Sequence, residues 1–389
     1  MAEIPKVMLL IEKSRAFSRG LLRGIAKYSD LHSQWAFYQE PPFYMANSRK
    51  KKRTPDQMKN WGANGIIMCD TGETQEIIAM GLPTIVTDLR KEFSGAPIIK
   101  TDDITIGKMA AEYLLNLGFQ EFAFCGFGTL FWSQARRGGF AETIKKAGFA
   151  VHFYKEPKSR VKRAWENEQI YMADWLKSLT KPVALMACND DRGRQVLEAC
   201  KIADLHVPEE VAILGVDNDE MVCDLSNPRL SSIALNLERS GYEAAELLDK
   251  LMTGKKKMAN QKIIAQPTHV VTRQSTNILA IEDSDVAQAV RVIRQHSKEM
   301  LQVGDVARMV GISRRGLERR FRMALKRSVF NEIKRVRAEQ VARMLVETNQ
   351  SIGQIALALN YPGIEHISRF FRKEKGMSPL AYRKKYSST

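Results

Sequence analysis

The sequence predicts a two-lobed α/β domain, with parallel sheets flanked by helices, followed by an all-α domain holding two helix-turn-helix units. Three observations carry this. Short apolar runs alternate with helical periods from Lys6 to about Leu251; one helix-turn-helix pattern occurs twice near the C-terminus; and the excess positive charge is concentrated in that same part. With 389 residues the chain is too long for one ordinary core.

In order, VMLLI (7–11) reads as a buried strand and 17–29 as an amphipathic helix. WAFYQ, GIIMC, TIVTD, PIIKT, FAFCGF, VALMAC and VAILGV are further strands, most of them followed by helical runs such as IGKMAAEYLLNLG, ARRGGFAETIKKAG and DRGRQVLEAC. Strands apolar on both faces and separated by helices imply a parallel sheet covered by helices. Nearly 280 residues of such alternation predict two layers, hence two lobes, and divide the chain into 1–280 and 281–389.

In open sheets of this kind ligands sit outside the carboxyl ends of the strands. Those ends are polar here: Asp70, Asp88, Asn189 with Asp190, and Asp217 with Asn218, while Trp132 and Arg136 lie just beyond FAFCGF. Carboxylates, an amide and a guanidinium offer paired hydrogen bonds to vicinal hydroxyls, and an aromatic ring covers the apolar face of a sugar. The candidate ligand-binding set is therefore Phe17, Asp70, Trp132, Arg136, Asn189, Asp190 and Asp217, and it fits a small sugar or polyol. Each residue taken alone is also an ordinary turn former or N-cap.

The repeat lies in 303–325 (VGDVARMVGISRRGLERRFRMAL) and 351–373 (SIGQIALALNYPGIEHISRFFRK). Ala307, Gly311, Leu317, Arg319 and Phe321 of the first copy return as Ala356, Asn360, Ile367, Arg369 and Phe371. The alanines suit a close helix crossing, and Gly311 and Asn360 tolerate the left-handed turn between the helices. After the N-cap candidate Ser313, Leu317 and Phe321 share an inward face while Arg315, Arg319 and Arg322 share another; Glu365, Arg369 and Arg372 form the matching stripe in the second copy. Gly316, inside the first of these helices, costs roughly 1 kcal/mol relative to Ala, which close approach to DNA would explain. Arginine bonds guanine O6 and N7 together, so the candidate DNA-binding residues are Arg314, Arg315, Glu318 and Arg319 in the first unit and Gly363, Glu365, His366, Arg369 and Lys373 in the second. A helix at 331–347 joins the units, about 25 Å long.

Of the net charge of +16, residues 282–389 supply most, with 22 Lys and Arg against 11 Asp and Glu. That is the balance of a nucleic-acid module attached to a nearly neutral partner domain. The basic run 48–55 (SRKKKRTP) reads as a solvated loop. Five scattered cysteines without a C-x-x-C pair fit a reducing compartment. No leader-like N-terminus and no long apolar run is visible, so a cytoplasmic protein without a membrane partner is expected. Gly126 and Gly128 start a G-x-G without its third glycine, and no P-loop, G-x-S-x-G elbow or histidine pair at metal spacing is found. No cofactor, no metal and no enzymatic activity are expected.

On these residues the C-terminal part resembles the AraC/XylS DNA-binding domain, through Ile355-Ala356, Tyr361, Arg369, Phe371-Arg372, Gly376, Ser378-Pro379 and Tyr382-Arg383. It departs from that pattern at Asn360, where glycine is usual, and at Gly363, where serine is usual; the second change removes a cap and a phosphate contact. The first 280 residues resemble the effector domain of LacI/GalR regulators and the periplasmic sugar-binding proteins, through KTDDITIGKMAAEYLLNLGFQEFAFCGF, ARRGGF, MACNDDRGRQVLEAC and VPEEVAILGVDND. That resemblance implies ligand contacts at Arg136, Asn189 and Asp217. A sugar-binding domain followed by an AraC-type domain, with Trp132 four residues before Arg136, is similar to the xylose-operon regulators. It implies a sugar-responsive transcription factor: an activator answering to D-xylose, acting as a homodimer on a double-stranded operator with RNA polymerase. The alternatives are a repressor, a response to another pentose or polyol, or a sugar-binding enzyme fused to a basic module.

Overall fold

The computed structural model describes residues 4–32, 34–39, 61–87, 95–157, 165–255, 260–281 and 283–386. The first stretch of secondary structure comprises β1 (Lys6–Leu10), α1 (Ala16–His32), β2 (Ala36–Gln39), β3 (Gly65–Cys69), α2 (Thr74–Ala79), β4 (Thr84–Thr87) and β5 (Ile98–Thr101). It is followed by α3 (Asp103–Asn116), β6 (Glu121–Cys125), α4 (Phe131–Lys146), β7 (Val151–Phe153), α5 (Trp165–Ser178), β8 (Val183–Ala187), α6 (Asp190–Ala203), β9 (Val211–Val216), α7 (Glu220–Leu225) and β10 (Ser231–Leu235). Then come α8 (Leu237–Met252), β11 (Lys262–Ala265), β12 (Pro267–Val271) and a 3-10 turn at Gln274–Thr276. The helical region holds α9 (Ser284–Gln295), α10 (Val303–Val310), α11 (Arg314–Leu325), α12 (Val329–Glu347), α13 (Ile352–Ala358), α14 (Ile364–Lys375) and α15 (Pro379–Tyr386).

Among the described residues two six-stranded sheets form two lobes, in the orders β11-β5-β4-β3-β1-β2 and β12-β10-β9-β8-β6-β7. Their pairings are parallel except β10 with β12, where the edge strand opens on Pro267, a residue that donates no ladder hydrogen bond. The inner strands are buried on both faces, as VALMA and VAILGV require, and helices cover them. Among the described residues the chain crosses between lobes three times, from β5 to α3, from β10 to α8 and from β11 to β12.

The predicted strands appear within a residue or two of their expected ends, whereas α1, α3, α4 and α6 each extend three or four residues beyond one expected end. Among the elements absent from the sequence reading are β7, β10, β11, β12, α5 and α8. The strands among them are short and broken by polar residues or proline, so period alone does not separate them from loop. Asp88 and the 48–55 run lie outside the described residues.

Candidate functional site

A cavity of about 280 Å³ opens between the lobes, beside the carboxyl ends of β1, β5, β8 and β9. Arg136 of α4 is one of its lining residues, and a glycine puts it there. A Cβ on Gly107 of α3 would lie 2.1 Å from the Arg136 carbonyl oxygen, so only glycine lets the two helices touch at that level. The contact brings Arg136 against Asp103, the first residue of α3, capped in turn by Asp102, whose side chain accepts from Thr105 N.

The buried Arg136 guanidinium is held on three sides. Its Nε donates to Asp103 Oδ1 at 2.9 Å and its Nη1 to the Cys188 carbonyl at 2.6 Å, while Nη2 stands 3.7 Å from Asp217 Oδ1. The Trp132 ring centroid lies 5.0 Å from the guanidinium carbon, close enough for a cation–π contact. An arginine fixed in this way presents donors in one orientation, as recognition of a hydroxylated ligand requires.

Asp217 is the strained member of the group. Its φ of 99° lies in a region that L-residues avoid, and it is pinned by its N–H donating to the Ile233 carbonyl at 3.0 Å. Its Oδ1 is buried without a hydrogen-bond partner. Burial pushes this carboxyl up to about 6 against the opposing pull of Arg136. A buried acceptor left unpaired at a cavity wall is a site for a ligand hydroxyl.

Of the residues read from the sequence, Phe17, Trp132, Arg136, Asn189, Asp190 and Asp217 line the cavity. Asp70 does not: its carboxylate accepts from the Thr74 hydroxyl at 2.9 Å and organises the start of α2. Asp190 reaches the lining but is already engaged, taking Asp219 N at 2.7 Å and the Ser232 hydroxyl at 2.5 Å, and burial raises its carboxyl well above the usual range. It supports the wall. Asn189 has its Oδ1 committed to capping α6 through Arg192 N at 3.0 Å.

The sequence reading missed Glu12, Arg15, Lys100, Asp103, Asp191 and Asp219, all of which line the same space. Arg15 Nε meets Asp191 Oδ2 at 2.7 Å, and Asp219 binds Arg19 Nη2 at 2.8 Å and Ala16 N at 2.7 Å. These contacts clasp the mouth of the first lobe to the second. The signal for the acidic half was present in the paired Asp190-Asp191 and in the Asp217–Asp219 run; its basic partners stand some two hundred residues away, which no local pattern reveals.

The second site is the outer face of the helical region. In the first unit α10 ends on Gly311 with φ 81°, Ser313 caps α11 by accepting from Gly316 N, and Leu317 and Phe321 are buried. In the second, Asn360 takes φ 55°, Gly363 precedes α14 without a side-chain cap bond, and Ile367 and Phe371 are buried. Arg314, Arg315, Arg319, Glu365, His366, Arg369 and Lys373 are exposed, whereas Glu318 is half-buried with an unpartnered buried Oε2 and Gly363 is half-buried at the cap. The connecting helix α12 starts two residues earlier than expected, because Ser328 caps it through Asn331 N. Its 19 residues span about 28 Å.

Among the described residues no group of three or more His, Cys, Asp or Glu is placed to hold a metal ion, and no helix is long and apolar enough to cross a membrane. The five cysteines are free thiols, four of them buried.

A periplasmic binding protein-like domain model matches residues 111–276, and a helix-turn-helix domain model matches 306–385. The xylose operon regulatory protein of Haemophilus influenzae is 30% identical over 391 residues, covering 97% of this chain and 98% of its own length. The protein of the same name from Escherichia coli strain K12 is 28% identical, over 97% of this chain and 96% of its own. A solved structure described as the xylose-binding transcription activator XylR superimposes with a TM-score of 0.60 at 27% identity, over 99% of both chains. The similarity extends over nearly the whole length of these relatives and of this chain.

Proposed function

The chain belongs to the family of the xylose operon regulatory proteins, and from that premise we propose that it is an activator whose effector is a neutral aldopentose, D-xylose, bound between the lobes. The observation that carries the effector site is Asp217, with its strained backbone and a buried oxygen that has no hydrogen bond, beside the fixed Arg136 and the Trp132 ring. The cavity's 280 Å³ lies at the small end of the usual ligand range of about 300–1,000 Å³. Among the described residues six carboxylates line it (Glu12, Asp103, Asp190, Asp191, Asp217 and Asp219) against three cations (Arg15, Lys100 and Arg136), a balance that disfavours sugar phosphates and sugar acids.

In this reading Phe17 and Trp132 cover the apolar face of the sugar, while Arg136, Asn189 and Asp217 bond its hydroxyls. Residues 1–280 form the effector domain and 281–389 the DNA-reading domain. Two copies pair symmetrically on an operator, so that a sugar-driven change in the lobes re-spaces the DNA-reading domains and presents them to RNA polymerase. The exposed arginines of α11 and the exposed Glu365, His366, Arg369 and Lys373 of α14 read base edges and phosphates.

Calorimetry with a panel of pentoses and hexoses tests the effector. D-xylose should bind and Asp217→Ala should weaken it by about 1–3 kcal/mol, with sugar-free DNA affinity unchanged. Binding of a hexose but not of D-xylose would refute the choice of sugar, and wild-type affinity in Asp217→Ala would remove that residue from the site. The pH dependence has a definite sign. Sugar hydroxyls donate to the ionised carboxylate, so affinity should fall as pH drops below about 6, the value to which burial raises this carboxyl. In the sugar-free protein the raised carboxyl favours folding where it is protonated and loses that contribution as pH rises from 3.8 through about 6. Asp217→Asn should accordingly raise the Tm of the sugar-free protein at pH 7.5 while weakening sugar binding. Sedimentation showing only monomers, with and without operator, would overturn the dimer.

A further inference from the structure

The two DNA-reading units are tied to the effector domain at different places. In the first unit, Arg327 donates to Asn116 Oδ1 at 2.5 Å, at the end of α3 in the body of the second lobe. In the second, the contacts fall on or beside the crossings between the lobes.

Those crossings are bonded to one another. Asp102 N donates to the Ala265 carbonyl at 2.9 Å, Asn236 N donates to the Gln266 carbonyl at 3.0 Å, and Asn236 Oδ1 accepts from Gln266 N at 2.6 Å. The remaining amide group of the same buried side chain, Asn236 Nδ2, leaves the hinge altogether and donates to the Lys385 carbonyl in the last turn of α15 at 3.2 Å. Tyr382 of α15 donates to the Thr268 carbonyl at 3.4 Å, and Glu347 at the end of α12 pairs with His269 Nε2 at 2.9 Å, both on β12 of the second lobe, just past the third crossing, so that Asn236 makes the contact at the hinge itself.

The geometry points to Asn236 as a positioning residue that transmits the state of the hinge to the second helix-turn-helix unit. One amide holds two crossing strands through its oxygen and α15 through its nitrogen. Any lobe rotation that changes the dihedrals of Asn236 and Gln266 must move this amide or break one of its bonds, while Arg327 rides on the second lobe unchanged. The units then shift relative to each other, and each copy changes the spacing at which it reads DNA. The tie itself is independent of which sugar binds; its role in the response rests on the effector reading above.

Asn236→Asp separates the two bonds, since a carboxylate still accepts from Gln266 N but donates nothing to Lys385. Tyr382→Phe removes the neighbouring tie without adding charge. Hydrogen exchange on the full chain without sugar should show faster exchange across α15 in Asn236→Asp; unchanged exchange there overturns the tie. Fluorescence anisotropy on a DNA site selected by the wild-type protein then reads the ratio of affinities with and without D-xylose. That ratio should fall about fivefold in Asn236→Asp, the scale of one lost hydrogen bond, and less in Tyr382→Phe, with D-xylose affinity measured without DNA unchanged. A wild-type ratio in both variants, with α15 loosened, overturns the transmitting role. Failure of the wild-type protein to bind D-xylose overturns the effector reading instead and leaves the exchange result to decide the tie. Should the charge of Asn236→Asp prevent folding, Tyr382→Phe and Asn236→Leu carry the same two measurements.

Discussion

The two helix-turn-helix units are the same object placed in two surroundings, and their correspondence runs past the motif. Phe321 and Phe371 are both buried, Lys326 and Gly376 both end a helix in the left-handed conformation, and Ser328 and Ser378 both present a hydroxyl oxygen to a backbone N–H three residues on. One position later in each capped helix a buried side chain follows, Val329 or Pro379, and three further on comes Glu332 or Tyr382. Here the copies diverge. Glu332, fully buried, pairs with Arg327 at 2.7 Å and Arg335 at 2.6 Å, whereas Tyr382 gives its hydroxyl to the effector domain. The first unit is closed around a charge cluster whose Arg327 also reaches Asn116 of the second lobe, while the second is finished by an uncharged contact to Thr268 of β12, beside the hinge. A repeated pattern thus specifies how each unit folds, and the departures from it specify what each is attached to.

The largest effect that tests this contrast is on stability. Removing Glu332 leaves two arginines with a missing buried partner, so Glu332→Ala should cost about 3–5 kcal/mol, against about 1 kcal/mol for Tyr382→Phe. Burial pushes the Glu332 carboxyl up, but the bonds and charges of Arg335, Arg327 and Arg294 outweigh it and hold it below its ordinary 4.5. A lowered carboxyl contributes stability above its unfolded value and loses it as pH falls, so acid should unfold the wild type more readily than it does Glu332→Gln, relative to each protein at neutral pH. Equal losses in Glu332→Ala and Tyr382→Phe, read by chemical denaturation, would break the contrast.

Next in size is DNA reading. Arg319 and Arg369 occupy equivalent exposed positions, and the recognition helices flank a connecting helix of about 28 Å, near the roughly 34 Å between successive major grooves. Arg319→Ala should cost about 1–3 kcal/mol and relax base preference in one block of the site, and Arg369→Ala in the other. Selection from random DNA decides this: loss of both blocks in either variant would show that the units do not read separately.

The smallest effect concerns the caps. Ser313→Ala should cost about 1 kcal/mol, because Gly316 N loses its acceptor, while Gly363→Ala should change stability by only a few tenths, there being no side-chain cap to lose. Thermal melts of the two variants sharpen the comparison, and a larger loss at Gly363 would reverse it.

Much of the effector site was legible in the sequence for a simple reason: strands that end in polar residues announce where a parallel sheet places its ligand. Asn189 and Asp217 follow VALMAC and VAILGV directly, and both line the cavity. The same rule misplaced Asp70, since β3 also ends in a carboxylate but spends it on Thr74. Arg15 and Arg19 were invisible because each has an unremarkable neighbourhood, and they acquire their role only where Asp191 and Asp219 of the other lobe meet them.

The sequence by itself determined the order of the two domains, the buried strands, the two reading helices and their register, because period, capping residues and charge are local properties of the chain. Only the tertiary structure decided that Asp217 is strained and its buried Oδ1 left without a hydrogen bond, that Asp190 supports the wall, and that Asn236 joins the hinge to α15. Those outcomes depend on which backbone groups, distant in sequence, are left to satisfy each polar atom after the lobes have packed.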